Sequence, residues 1–169
     1  MNPKIKTFAK SIVPLLEWLS ENPNDKDIKY VVSRIVRFSS RNPKDLGIPY
    51  MYSIGALNEA KNRGIDNLPE KLKWVRWNQQ THKSGLNDTS RKNGVFHLEH
   101  IVPVSQVCLK LYSLNEITVK SIHDILIDNL KLAWILKTEQ KKLDSINRSG
   151  IRTEDELTKL KIFIKGFNY

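Results

Sequence analysis

Val95-Phe96-His97-Leu98-Glu99-His100-Ile101-Val102-Pro103 is the stretch that organises this chain. Branched and aromatic residues dominate this run, and Pro103 then closes it, which predicts a short strand. A turn-rich polar segment precedes it: Thr81 to Ser90, followed by Lys92-Asn93-Gly94. Beyond Pro103, Val104, Val107, Cys108 and Leu111 repeat at helical spacing. Ser113-Leu114-Asn115-Glu116 has the capping-box pattern and predicts a helix carrying Ile117, Ile122, Ile125 and Leu126. Asp128-Asn129 reads as a turn into a second strand, Leu130 to Leu136. Thr138 then caps a helix that runs through Leu143, and Ser149-Gly150 ends it. The capping box Thr153 to Glu156 opens a last helix, expected to reach Lys165.

Upstream, the periodicity predicts helices only. Asn2-Pro3 opens the first, with Ile5, Phe8, Ile12, Leu15, Leu16 and Leu19 on one face and Pro14 expected to kink or split it. A second starts near Asp25 and a third near Pro49, ending before Gly64. Asn67 to Glu70 starts a fourth, which carries Leu72, Trp74, Val75 and Trp77. The expected class is therefore α+β and mostly helical, with a helical bundle over residues 1–80 and a mixed unit over 81–169.

The chain of 169 residues carries 28 Lys+Arg against 18 Asp+Glu, a formal charge of +10. Such an excess favours a polyanionic partner, nucleic acid first. The densest surplus is Lys71, Lys73, Arg76, Lys83, Arg91 and Lys92, opposed only by Asp88, with Trp74 and Trp77 interleaved. Those tryptophans suit either the core or base stacking. No run approaches the ~18–20 apolar residues of a membrane span. Ile12–Leu19 is interrupted by Pro14 and Glu17 and has no small-residue cleavage site, which argues against a signal peptide. A cytoplasmic protein with no membrane partner is the expectation. The single cysteine, Cys108, excludes an internal disulfide and a cysteine zinc knuckle, and it reads as buried; no structural zinc is expected.

Glu99-His100-Ile101-Val102-Pro103, then Asp128-Asn129-Leu130-Lys131-Leu132, then the Thr138-Glu139-Gln140 helix start resemble the HNH, or ββα-metal, nuclease family over roughly residues 94–147. The resemblance implies a ββα unit with a helical insertion between its strands. It also implies a DNA endonuclease, dependent on Mg²⁺ or Mn²⁺, that leaves 5′-phosphate and 3′-hydroxyl ends. His100 would be the general base, since a neutral imidazole accepts a proton near pH 7. Glu99 would be a metal ligand, and Asn129 would tie the loop that orients His100. The helix ligand, usually His or Asn in the family, would be Gln140 or Glu139. Lys141 and Lys142 would lie near the scissile phosphate, with Lys71, Lys73, Arg76, Lys83, Arg91 and Lys92 on the backbone. Double-stranded DNA is the implied partner, and a restriction-type or phage or mobile-element enzyme that cuts both strands would act as a homodimer. Against this stand a nucleic-acid-binding module with a degenerate HNH half and a nuclease directed at RNA. Adjacent residues of a regular strand face opposite ways, so Glu99 and His100 share a site only if the strand end twists or bulges. His97 falls on the Glu99 side or is merely exposed, and His123 is expected on a solvent face.

Overall fold

The computed structural model describes residues 3–40, 51–65, 94–146, 150–159, 161–162 and 164–165. The protein is α+β and mostly helical. By contacts it divides into two units that alternate along the chain, Met1–Pro49 with Val102–Lys131, and Tyr50–Ile101 with Leu132–Tyr169. The sequence suggested two consecutive regions instead; the boundary expected at 80/81 lies outside the described residues.

Unit one is helical: α1 (Pro3–Glu21), α2 (Lys26–Ser40), α4 (Val104–Tyr112) and α5 (Val119–Asn129). Unit two contains β1 (Met51–Ser53), α3 (Ile54–Asn62), β2 (Phe96–His100), β3 (Leu132–Leu136), α6 (Lys137–Ile146), α7 (Glu154–Lys159) and β4 (Ile164–Lys165). The α1 seam of Ile5, Ala9, Ile12, Leu16 and Leu19 is buried at three- and four-residue intervals. Pro14 lies inside α1 without splitting it. Its ring sits on the exposed side, where water can satisfy the carbonyl it leaves unbonded. Asp25 starts α2 as expected, its Oδ1 accepting from the backbone N of Asp27 and Ile28 at 3.0 Å each. Trp18 Nε1 donates to its Oδ2 at 2.9 Å. The helix expected from Ser113 forms but starts later, at Val119. Thr118 is the N-cap of α5, in a capping box closed with Ser121. Val32, Val36, Val107, Leu111, Ile122 and Leu126 complete this core, and Cys108 is buried in it.

Unit two is built on a four-stranded sheet in the order β2-β3-β1-β4. β2 pairs antiparallel with β3, β3 parallel with β1, and β1 antiparallel with β4. Both expected strands therefore form and pair with each other. β1 and β4 replace parts of two expected helices: the helix foreseen from Pro49 begins at Ile54, and the last helix stops at Lys159. The apolar run of β3, Leu-Ala-Trp-Ile-Leu, suits an interior strand covered on both faces. On one face Phe96 and Trp134 pack with Ala56, Ala60 and Ile65. On the other, Ile101, Ala133 and Ile135 pack with Leu143, Leu157 and Ile162.

Candidate active site

Antiparallel pairing places residues directly opposite one another on the same face. The β2–β3 ladder is one-to-one from Phe96↔Leu136 to His100↔Leu132, with no bulge. Leu98 and Trp134 therefore face α3, whereas Glu99 and Ala133 face α6 and α7. By the same alternation His100 falls on the α3 face, and it is half-buried. Glu99 and His100 do not share a face, so the expected pairing of ligand and base on adjacent residues is corrected. The pleat that makes β2 a regular strand separates them.

Glu99 gathers a different set of groups. The residue is only 7% exposed. Arg152 Nε donates to Oε1 at 2.9 Å, and His97 Nε2 lies 3.3 Å from Oε2. Arg152 Nη2 reaches Asp144 Oδ1 at 3.3 Å, and Gln140 Nε2 donates to Asp144 Oδ2 at 2.7 Å. Backbone geometry explains each position. His97 and Glu99 are two apart on a strand, and Gln140 and Asp144 are four apart on α6, so each pair shares a face. Arg152 enters between them because its backbone N donates to Ile101 O at 2.9 Å, which lays residue 152 against the end of β2. Burial pushes the Glu99 carboxyl up, but hydrogen bonds and charge from His97 and Arg152 outweigh it and hold the group below the usual carboxylate range.

The other expected residues are distributed as follows. Gln140 belongs to the Glu99 cluster. Glu139, the alternative ligand, does not: Ser53 Oγ donates to its Oε2 at 2.6 Å and Leu136 N at 2.8 Å. It caps its own helix and orients the hydroxyl that accepts from Ala56 N to cap α3. Asn129 ends α5 in unit one, accepting from Lys110 Nζ at 2.6 Å and donating to Ile125 O at 2.7 Å. The first bond ties α5 to α4 and the second stays within α5, whereas His100 belongs to unit two. Lys141 and Lys142 are exposed on α6. Lys71, Lys73, Arg76, Lys83, Arg91 and Lys92 lie outside the described residues, as do Trp74 and Trp77. His123 is buried rather than solvent-facing, with Nδ1 3.1 Å from Asp124 Oδ1.

No protein-family model, curated protein or solved structure matches this chain.

The cluster does not suit the expected Mg²⁺ or Mn²⁺. Both Glu99 oxygens are engaged, and a guanidinium already stands between the two carboxylates a hard cation would bridge. Among the described residues no three His, Cys, Asp or Glu side chains converge on a metal position. Sequence reasoning missed Arg152 and Asp144 altogether. The helical spacing of Gln140 and Asp144 was available as a signal, but nothing local marks Arg152, which lies 53 residues from Glu99.

Proposed function

We propose that the protein is a DNA endonuclease, of restriction, phage or mobile-element type, that hydrolyses phosphodiesters to 5′-phosphate and 3′-hydroxyl ends. The observation that carries this reading is the connected run His97–Glu99–Arg152–Asp144–Gln140, which joins the end of β2 to the helix that follows β3. It sits in the strand, two-helix insertion, strand, helix order that the sequence resemblance implies.

His97 is the base in this reading. A carboxylate beside Nε2 holds the proton on that nitrogen and leaves the Nδ1 lone pair to accept one from water. With its side chain 26% exposed, His97 is reachable by solvent, whereas Glu99 is not. Arg152 and Asp144 are positioning residues that fix Glu99 and through it the imidazole. Lys141 and Lys142 offer exposed charge to a phosphate on the same helix as Gln140. Cutting both strands requires two copies of a single site, hence a homodimer on the substrate. No step is assigned to a divalent ion.

Nicking of supercoiled plasmid tests the assignment, with Mg²⁺, Mn²⁺ and EDTA as parallel arms. General-base loss costs about 10²–10⁴-fold, so His97→Ala and Glu99→Gln should each fall at least a hundredfold while His100→Ala stays active. A dead His100→Ala beside an active His97→Ala returns the base to His100. One observation favours a second reading, a nucleic-acid-binding module without catalysis: Arg152 neutralises both carboxylates of the cluster. That reading wins if DNA is bound and no metal arm nicks it, and cleavage of RNA alone would redirect the substrate.

A further inference from the structure

We propose that the outer face of α2, formed by Lys26, Tyr30, Arg34 and Arg37, is a binding surface for the backbone of double-stranded DNA. At about 100° per residue these four positions fall within a sector of about 80°. The buried positions Val32 and Val36 lie on the opposite side, against the core of unit one. All four residues are exposed, and Tyr30 is 61% accessible, the highest value among the large apolar and aromatic residues exposed in the described structure. The Arg34 guanidinium stands 5.5 Å from the Tyr30 ring centroid, so the aromatic face and the cation are presented together.

Helix stability accounts for Arg37, a cation in the last turn where the dipole favours one, but not for the rest of the stripe. Lys26 occupies the first turn, where a positive charge opposes the helix dipole and a carboxylate would help. An exposed tyrosine gives up burial without gaining a core contact. Among the described residues neither Lys26 nor Arg34 forms an ion pair with a carboxylate. Asp27 is the acidic residue in the helix; it lies about 100° round from Lys26, at the margin of the stripe.

Charge complementarity names the partner. From Lys26 to Arg37 the stripe is about 16 Å long at 1.5 Å per residue. Duplex DNA presents a phosphate every ~3.4 Å of axis along each strand, so three cations over that length each find one. A membrane surface is the poorer match, because the apolar side of α2 is already buried and little beyond Tyr30 and Val31 is left to insert. The stripe belongs to unit one and the Glu99 cluster to unit two. It takes only its partner from the nuclease reading and requires no cleavage.

The test measures binding in EDTA with the full chain and a labelled duplex, by anisotropy between about 50 and about 200 mM salt. The triple variant Lys26→Ala, Arg34→Ala, Arg37→Ala keeps good helix formers at every site, and an unchanged circular dichroism spectrum checks its fold. Each lost phosphate contact reduces the slope of log K against log salt by about 0.9, so the triple variant should be shallower by about 2–3. Tyr30→Ala should weaken binding while leaving the slope intact. An unchanged slope in the triple variant overturns the proposal. So does a variant that loses phosphatidylserine vesicles but keeps the duplex, which would make the stripe a lipid surface. Plasmid nicking is scored separately: a protein that never nicks yet shows the shallower slope refutes the nuclease and keeps the stripe.

Discussion

Replacing Arg152 with Met removes the guanidinium and retains most of the aliphatic stem. Arg152 is 4% exposed and Glu99 is 7% exposed, so the pair is shielded from water. Removing one partner of a buried pair leaves the other charge uncompensated, at a cost of about 3–5 kcal/mol. The second contact, to an Asp144 side chain that is 31% exposed, adds no more than about 1 kcal/mol. The backbone bond from Arg152 N to Ile101 O does not depend on the side chain. With a urea slope of about 2 kcal/mol/M, the midpoint should fall by about 2 M. Circular dichroism during urea unfolding at pH 7 reads this directly. Adding Glu99→Gln to Arg152→Met removes the stranded charge and should recover at least about 1 kcal/mol, the signature of two coupled sites. A loss below about 1 kcal/mol for Arg152→Met, or strictly additive single and double variants, would refute the view that the pair is buried and coupled.

The same cluster sets an acid dependence. The folded Glu99 carboxyl lies below its ordinary value of 4.5, so its stabilisation is complete above that value and disappears as pH falls through the folded one. The stability gap between wild type and Glu99→Gln should stay level from pH 7 to about 5 and narrow below it, as urea midpoints across that range would show. Ser53→Ala removes the hydroxyl that both caps α3 and donates to Glu139; a loss of about 1–3 kcal/mol is expected in urea unfolding. Gly55→Ala brings a methyl group against the Glu139 carboxyl and 3.3 Å from Leu136 Cδ1, and overpacking of this kind costs about 1–3 kcal/mol, measurable in the same assay.

Strong periodicity made much of the fold legible. The α1 seam, the Asp25 cap and the two strands around Glu99 and Trp134 all follow from local patterns. Met51–Ser53 and Ile164–Lys165 were not legible, because strands of three and two residues carry no period and exist only through partners far along the chain. The cap at Thr118 was not legible either, because its box closes on Ser121 rather than on the Glu or Gln of the usual pattern, which Ser113 carries. In the site, the kinship of His97 with Glu99 was readable from strand alternation. Glu139 stood as the alternative to Gln140 because its competing partner, Ser53, lies 86 residues away. Arg152 is hidden for the same reason: an ion pair closed by tertiary structure leaves no mark in the sequence around either end.

β2 and β3 are neighbours in the sheet, yet the chain between them leaves unit two at Ile101, builds α4 and α5 within unit one, and returns at Leu132. Without unit one, the same ladder would have to close a floppy loop of roughly thirty residues instead of a tight turn. Each doubling of loop length costs about 0.6 kcal/mol, so the penalty against a four-residue turn is about 2 kcal/mol. A folded unit one removes most of that entropy in advance by holding the ends of the excursion. The two units are thus thermodynamically linked by the path of the backbone, whatever surfaces they present to each other. Shortening the N-terminal helices should therefore loosen a sheet to which they contribute no strand.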